Sequence, residues 1–149
     1  MAVRHLKVNS KSDPADTSLV RPSDWNADHT VEGAVELVID GSGSTITSGI
    51  KADIVLPYDG TFTSWTLLAD VAGSIVIDLW LEQYVDYPPT VADTITASAK
   101  PTLSSASKAT SSTLTGWTTA FTAGDVLRVY VQPTPATVTR VLLSLGTLS

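Results

Sequence analysis

His5 and His29 are the only imidazoles in the chain. Imidazole is the usual general acid or base near neutral pH, and it needs a nucleophile and an orienting partner in reach. Neither histidine has such a set nearby in sequence. Asp28 adjoins His29, but neighbours on an extended chain point to opposite sides. His29 is therefore read as a polar residue of a docked or solvated segment. The run Asp40-Gly-Ser-Gly-Ser44 has the glycines of a phosphate cradle. It lacks the lysine and the following helix that such a cradle needs, so it is expected to be a turn. Asp78 and Glu82 share one strand face and could pair as sugar-cleaving acids. Four residues along a strand separate them by about 13 Å, wider than either glycosidase geometry. A solvated strand face is the simpler reading. Asp86, Asp93 and Asp125 are loop carboxylates, but no spaced Asp-rich motif makes them a calcium loop. With no cysteine in the chain, thiolate metal sites and disulfides are excluded. No catalytic residue, cofactor or metal site is expected, and the chain is read as a non-enzyme.

One surface stands out. Trp80-Leu-Glu-Gln-Tyr-Val-Asp-Tyr87 places Trp80 on the face of Asp78 and Glu82, with Tyr84 and Tyr87 close by. Aromatic rings beside carboxylates suit stacking on a glycan. They equally suit a subunit contact, where aromatics are enriched. A third reading has Trp80 packed under the neighbouring loop.

These residues need a scaffold, and the sequence divides into two parts. Residues 1–32 are polar, carry charges of both signs, and are interrupted by Pro14 and Pro22. Proline pushes the preceding residue towards extended geometry. No apolar run at helical spacing occurs there, and one capped turn near Ser23–Asn26 is the most it predicts. So little apolar area cannot offset the entropy of folding alone. The segment is expected to be an extended arm, disordered or docked on a partner, or folded back on its own domain. Leu19, Val20, Arg21, Pro22, Trp25, Asn26, His29 and Val31 are its candidate anchors. Trp25 would fill a pocket, and Arg21 would pair with an acidic neighbour.

From Gly33 to the end, β-branched residues are dense and apolar residues alternate with polar ones. Strands are expected at 34–39, 50–56, 62–70, 73–82, 91–97, 112–117, 126–132 and 137–145. Turns are expected at residues 40–44, 57–60 and 123–125, and a Ser/Thr/Lys-rich loop between 97 and 112. Residues sharing one face are read as Ile50, Ala52, Ile54 and Leu56, alternating with Lys51, Asp53 and Val55; Trp65, Leu67 and Ala69; Ile75, Ile77, Leu79 and Leu81; Val141, Leu143 and Leu145; and Leu127, Val129 and Val131 are read as inward. About eight short strands at regular spacing predict an all-β fold, an antiparallel β-sandwich of jelly-roll-like type. The pattern alone also admits an immunoglobulin-like sandwich.

At 149 residues the chain suffices for one self-supporting core. A net charge of −6 with scattered basic residues argues against nucleic acid as a partner. No apolar stretch approaches a membrane span, so no membrane insertion is expected. The start carries Arg4, His5 and Lys7 without a long apolar run, unlike a signal peptide.

The segment Ser18-Leu-Val-Arg-Pro-Ser-Asp-Trp-Asn-Ala-Asp-His-Thr30 resembles one that recurs in tail-fibre, tail and head-decoration proteins of tailed bacteriophages. Further stretches are similar to a β module of phage appendages: Ser64-Trp-Thr-Leu-Leu-Ala-Asp70, Gly73-Ser-Ile-Val-Ile-Asp78, Tyr87-Pro-Pro-Thr-Val-Ala-Asp-Thr-Ile-Thr96, Leu114-Thr-Gly-Trp-Thr118 and Ala123-Gly-Asp-Val-Leu-Arg128. The resemblance implies a virion protein made in the bacterial cytoplasm. It would be homotrimeric, bound to other capsid or tail proteins, and would sometimes engage host surface glycans. It supplies no catalytic residues and does not separate head from tail. Similar modules often end longer chains, whereas here the module follows a short arm. A compact decoration, head-spike or short tail-appendage subunit is therefore expected; the alternative is a receptor-binding tail-fibre module.

Overall fold

The computed structural model describes residues 30–149. The expected anchors Leu19, Val20, Arg21, Pro22, Trp25, Asn26 and His29 lie outside them. The described chain is all-β and antiparallel, as the alternation predicts. Its strands are β1 (Glu32–Asp40), β2 (Gly49–Val55), β3 (Gly60–Glu82), β4 (Thr102–Ser111), β5 (Ala120–Phe121), β6 (Val126–Val131) and β7 (Arg140–Leu148). They form one seven-stranded sheet curled into a sandwich-like half-barrel.

Register explains the curl. β7 pairs with residues 61–69 of β3, and β6 pairs with residues 77–82. Gln132 N–H donates to Val76 O, whereas Ile77 N–H donates to Pro101 O. The consecutive strands β6 and β7 therefore lie along one edge of β3, and β4 lies along the other. β1 flanks β7 and β2 flanks β6 in the same way. Long runs of chain thus cross both halves of the sheet side by side and turn at one level. There Gly41 N–H donates to Thr139 O, Ile46 N–H to Val138 O, and Ser74 exchanges two bonds with Ala136. Four of the five described non-glycine residues with positive φ, Ser42, Ser105, Thr134 and Thr137, lie beside these bonds in sequence or, for Ser105, bond to Ser74. Strands commonly use such irregular residues to turn a corner between packed sheet faces. Gly73 is needed there: a Cβ would stand 2.4 Å from Ala136 O and 2.9 Å from Val138 N.

The faces meeting inside the fold carry one core. The row Val35, Leu145 and Trp65 is followed by Leu37, Leu143 and Leu67 in one half. Leu79 with Val129, and Leu81 with Leu127, continue it in the other. Most of these side chains are fully buried. At about 25 cal/mol per Å² of apolar surface, this core is the main stabilising contribution.

Four expectations are corrected. The strands expected at 62–70 and 73–82 are one continuous strand, whose pairing with β4 shifts register on both sides of Gly73, where the missing side chain admits Ala136 and Val138. Residues 91–97 are not a strand. Val91–Asp93 is a single 3-10 turn capped by Thr90 and Asp93, and only Thr94 bridges to Trp80. Residues 112–117 form turns, and the expected Ser/Thr/Lys loop contains β4 instead. β4 buries only Leu103 fully, so period-two apolarity is absent from it. Backbone pairing with β3 and the 2.9 Å Thr66–Thr110 hydroxyl contact hold it. Finally, Ile50 points outward and is 53% exposed. A bulge between Ile50 and Ala52 reverses the alternation, so Ile50 pairs with Tyr130 while Ala52 pairs with Val129.

The domain starts slightly earlier than expected. Val31 exchanges backbone hydrogen bonds with Ser149, extending the β1–β7 ladder. Val31, one of the expected anchors, is thus held through its backbone at the end of the β1–β7 ladder.

Candidate functional site

The outer face of β2, β6 and the end of β3 gathers both ion pairs found among the described residues. Register sets three rows across it: Ile50, Tyr130 and Asp78; Asp53, Arg128 and Trp80; Val55, Val126 and Glu82. A strap of irregular chain, residues 83–101, crosses this face and is pinned at two places.

The first pin is Arg128, itself buried within a strand of valines and leucine. Its Nε and Nη2 donate to the two Asp53 oxygens at 2.7 Å each. Its Nη1 donates to Pro89 O of the strap at 2.9 Å. Tyr87 donates its hydroxyl to Asp53 Oδ2 at 2.8 Å, and the Arg128 guanidinium lies 5.5 Å from the Tyr87 ring centre. A bidentate fork with a third bond to a carbonyl uses the planar geometry that only arginine offers. The hydrogen bonds from Arg128 hold the Asp53 carboxyl below its ordinary range. The same pair raises Arg128, and the bond to Asp53 raises the Tyr87 phenol.

The second pin is Asp78, only 2% exposed. Its Oδ1 accepts from Thr94 Oγ1 at 2.6 Å, Thr96 Oγ1 at 2.7 Å and Leu79 N at 3.0 Å. Its Oδ2 accepts from Gln132 Nε2 at 3.0 Å and lies 3.5 Å from Lys100 Nζ. Burial opposes ionisation and is the largest influence. The threonine bonds, the nearby Trp80 indole and the Lys100 charge together outweigh it, so the pKa is lowered. Trp80 Nε1–H is buried and makes no hydrogen bond of good geometry, although its dipole reaches Asp78.

Between the pins, Trp80 stacks on Tyr130 with ring centres 4.7 Å apart. Trp80 is 7% exposed, which makes it a packing residue under the strap, one of its three expected roles. Asp78 is likewise buried, not part of a solvated face, and Glu82 is half-buried. Tyr84 and Tyr87 stay exposed, at 74% and 50%. They line a depression of about 340 Å³ with Asp53, Val55 and Val126. A second notch of about 300 Å³ lies where β1 begins, lined by residues including Gly33, Ser64, Gly146 and Thr147.

The loop carboxylates do not converge. Asp93 caps its own turn through Thr90, and Asp125 accepts from Thr122 N–H at 2.8 Å. Among the described residues, no three acidic or histidine side chains are grouped as metal ligands. Asp40 accepts from Ser42 N–H, closing the expected turn. Asp53 and Asp78 are ionised, acceptor-only and filled with donors, which suits holding chain together rather than moving protons. No helix among the described residues is long and apolar enough to cross a membrane.

Sequence reasoning found Asp78, Trp80, Glu82, Tyr84 and Tyr87 but missed Asp53, Arg128, Thr94, Thr96 and Gln132. The available signal was Asp53 and Arg128, two charges at outward positions of otherwise apolar strands. Comparison of the chain with protein-family models, curated proteins and solved structures finds no match to any of them.

Proposed function

We propose that this chain is a non-catalytic structural protein of a tailed-phage virion, a surface decoration, head-spike or short tail-appendage subunit attached through its N-terminal segment. The observation that carries the reading is a junction. The phage-like segment ending at Thr30 leads at once into β1, the edge strand of a domain that buries its own core. A self-supporting domain leaves the preceding segment available for a partner. The polar groups of the strap support the same reading, since they fasten chain to sheet. Homotrimeric assembly belongs to this proposal through the resemblance alone.

The second reading is a tail-fibre module that binds host glycans. The exposed rings of Tyr84 and Tyr87 favour it. It loses Trp80 as a stacking platform and Asp78 as a hydroxyl acceptor, because both are buried.

The experiment is incorporation into phage particles. The full chain and a chain lacking residues 1–29 are produced during infection, and purified particles are assayed for each. The full chain is expected in the particles and the shortened one at background. Equal incorporation would remove the attachment role from the N-terminal segment.

A further inference from the structure

The depression beside the strap has a chemistry that its structural bonds do not use. Ile50, Val55, Tyr84, Val85, Tyr87 and Val91 are all exposed large apolar residues, and this face or its strap carries every one. An apolar patch of this kind on a folded domain marks a contact surface. Its charge is one-sided. Among the described residues, the ion pairs are Lys100 with Asp78 and Arg128 with Asp53. Glu82, Asp86 and Asp93, which flank Tyr84 in sequence or touch Glu82, join neither. Nearby cations are engaged elsewhere: Lys51 donates to Thr47 Oγ1 and Lys100 to Ala97 O. Residues 1–29 hold equal numbers of acids and bases, so the net charge of −6 belongs to this domain.

These features select among occupants. A second copy would bring like charges together, which costs affinity. A sugar is uncharged and gains little from the negative field of Glu82, Asp86 and Asp93, and the Asp53 oxygens are already engaged by Arg128 and Tyr87. A cation needs only a ring face and a negative field. The domain already shows this chemistry from beneath, where the Arg128 guanidinium lies against Tyr87 beside Asp53. Tyr84 offers a second ring, more exposed, next to Glu82 and Asp86.

We propose that the depression lined by Asp53, Val55, Tyr84, Tyr87 and Val126 is an interaction surface for a protein segment presenting an arginine or lysine flanked by apolar residues. It stands independently of the virion reading, since it uses only this face.

The test is amide chemical-shift titration of the labelled full chain. The probe is the peptide acetyl-Ala-Arg-Val-Arg-Ala-amide, with a counterpart carrying glutamate for arginine and with simple hexoses as further arms. The arginine peptide is expected to give saturable shifts at Val55, Tyr84 and Tyr87 that weaken as salt is raised. The Tyr84→Ala chain should bind about two- to fivefold more weakly, the range expected for one exposed cation–ring contact. Glu82→Gln should weaken binding in the same direction. Both variants should keep the unfolding midpoint, since Tyr84 is exposed and glutamine keeps the shape of the half-buried Glu82. The inference is overturned if the glutamate peptide shifts these amides equally or if the arginine peptide shifts none of them. It is also overturned if a hexose binds there and the peptide does not, or if Tyr84→Ala binds as well as the parent.

Discussion

Replacing Arg128 with leucine is expected to destabilise the domain by about 3 kcal/mol, measured by urea unfolding at neutral pH. Removing one partner of a buried ion pair typically costs ~3–5 kcal/mol, because the other charge is left uncompensated. The Asp53 side chain is 25% exposed, so water recovers part of its loss and the low end applies. Pro89 O also loses its donor, and one end of the strap comes free. Arg128→Lys should cost less, about 1–2 kcal/mol, since a single ammonium cannot make the fork and reach Pro89 together. Adding Asp53→Val to Arg128→Leu should return most of the loss, as apolar replacements of buried pairs often do. A cost below about 1 kcal/mol for Arg128→Leu would mean that this pair does not hold the strap.

Asp78→Ala should be about as damaging, at roughly 3 kcal/mol, because it removes the acceptor of the Thr94 and Thr96 hydroxyls and the Gln132 amide and the counter-charge of Lys100. Each buried group left unpaired costs ~1–3 kcal/mol, and movement of the strap limits the sum. Asp78 also gives the domain an acid limb. Its folded pKa lies below the ordinary value of 3.8, so folding favours the ionised form. The stabilisation is fully present above that ordinary value and is lost as pH falls through the lower, folded one. Unfolding measured across the acid range should therefore show a steeper decline for the parent chain than for Asp78→Ala. Parallel declines would show that Asp78 is not differentially ionised by folding.

What the sequence made legible was whatever depends on period-two apolarity. β7 alternates cleanly and β3 does so between its bulges, and Leu67, Leu79, Val129 and Leu143 are buried where the alternation places them. β4 was illegible because its stability comes from backbone pairing and hydroxyls, not from an apolar face. Ile50 was misread because one bulge residue inverts a parity that local sequence keeps intact. Asp78 looked solvated because polar residues usually are. The groups that cover it, Thr94, Thr96 and Gln132, come from positions 16 to 54 residues away, which no local pattern encodes. The same distance hid the Asp53–Arg128 fork, whose members are 75 residues apart. Trp80 and the two tyrosines could be found as a group, but only tertiary structure separates the buried ring from the exposed ones.

The proposed attachment role requires residues 30–149 to fold without the residues before them. Urea unfolding of that segment against the full chain tests it most directly. A single cooperative transition with stability within about 0.5 kcal/mol of the full chain is the expected result, the range of changes that touch no core contact. A segment that fails to fold alone, or that loses more than about 2 kcal/mol, would show that the N-terminal residues are part of the domain's own core.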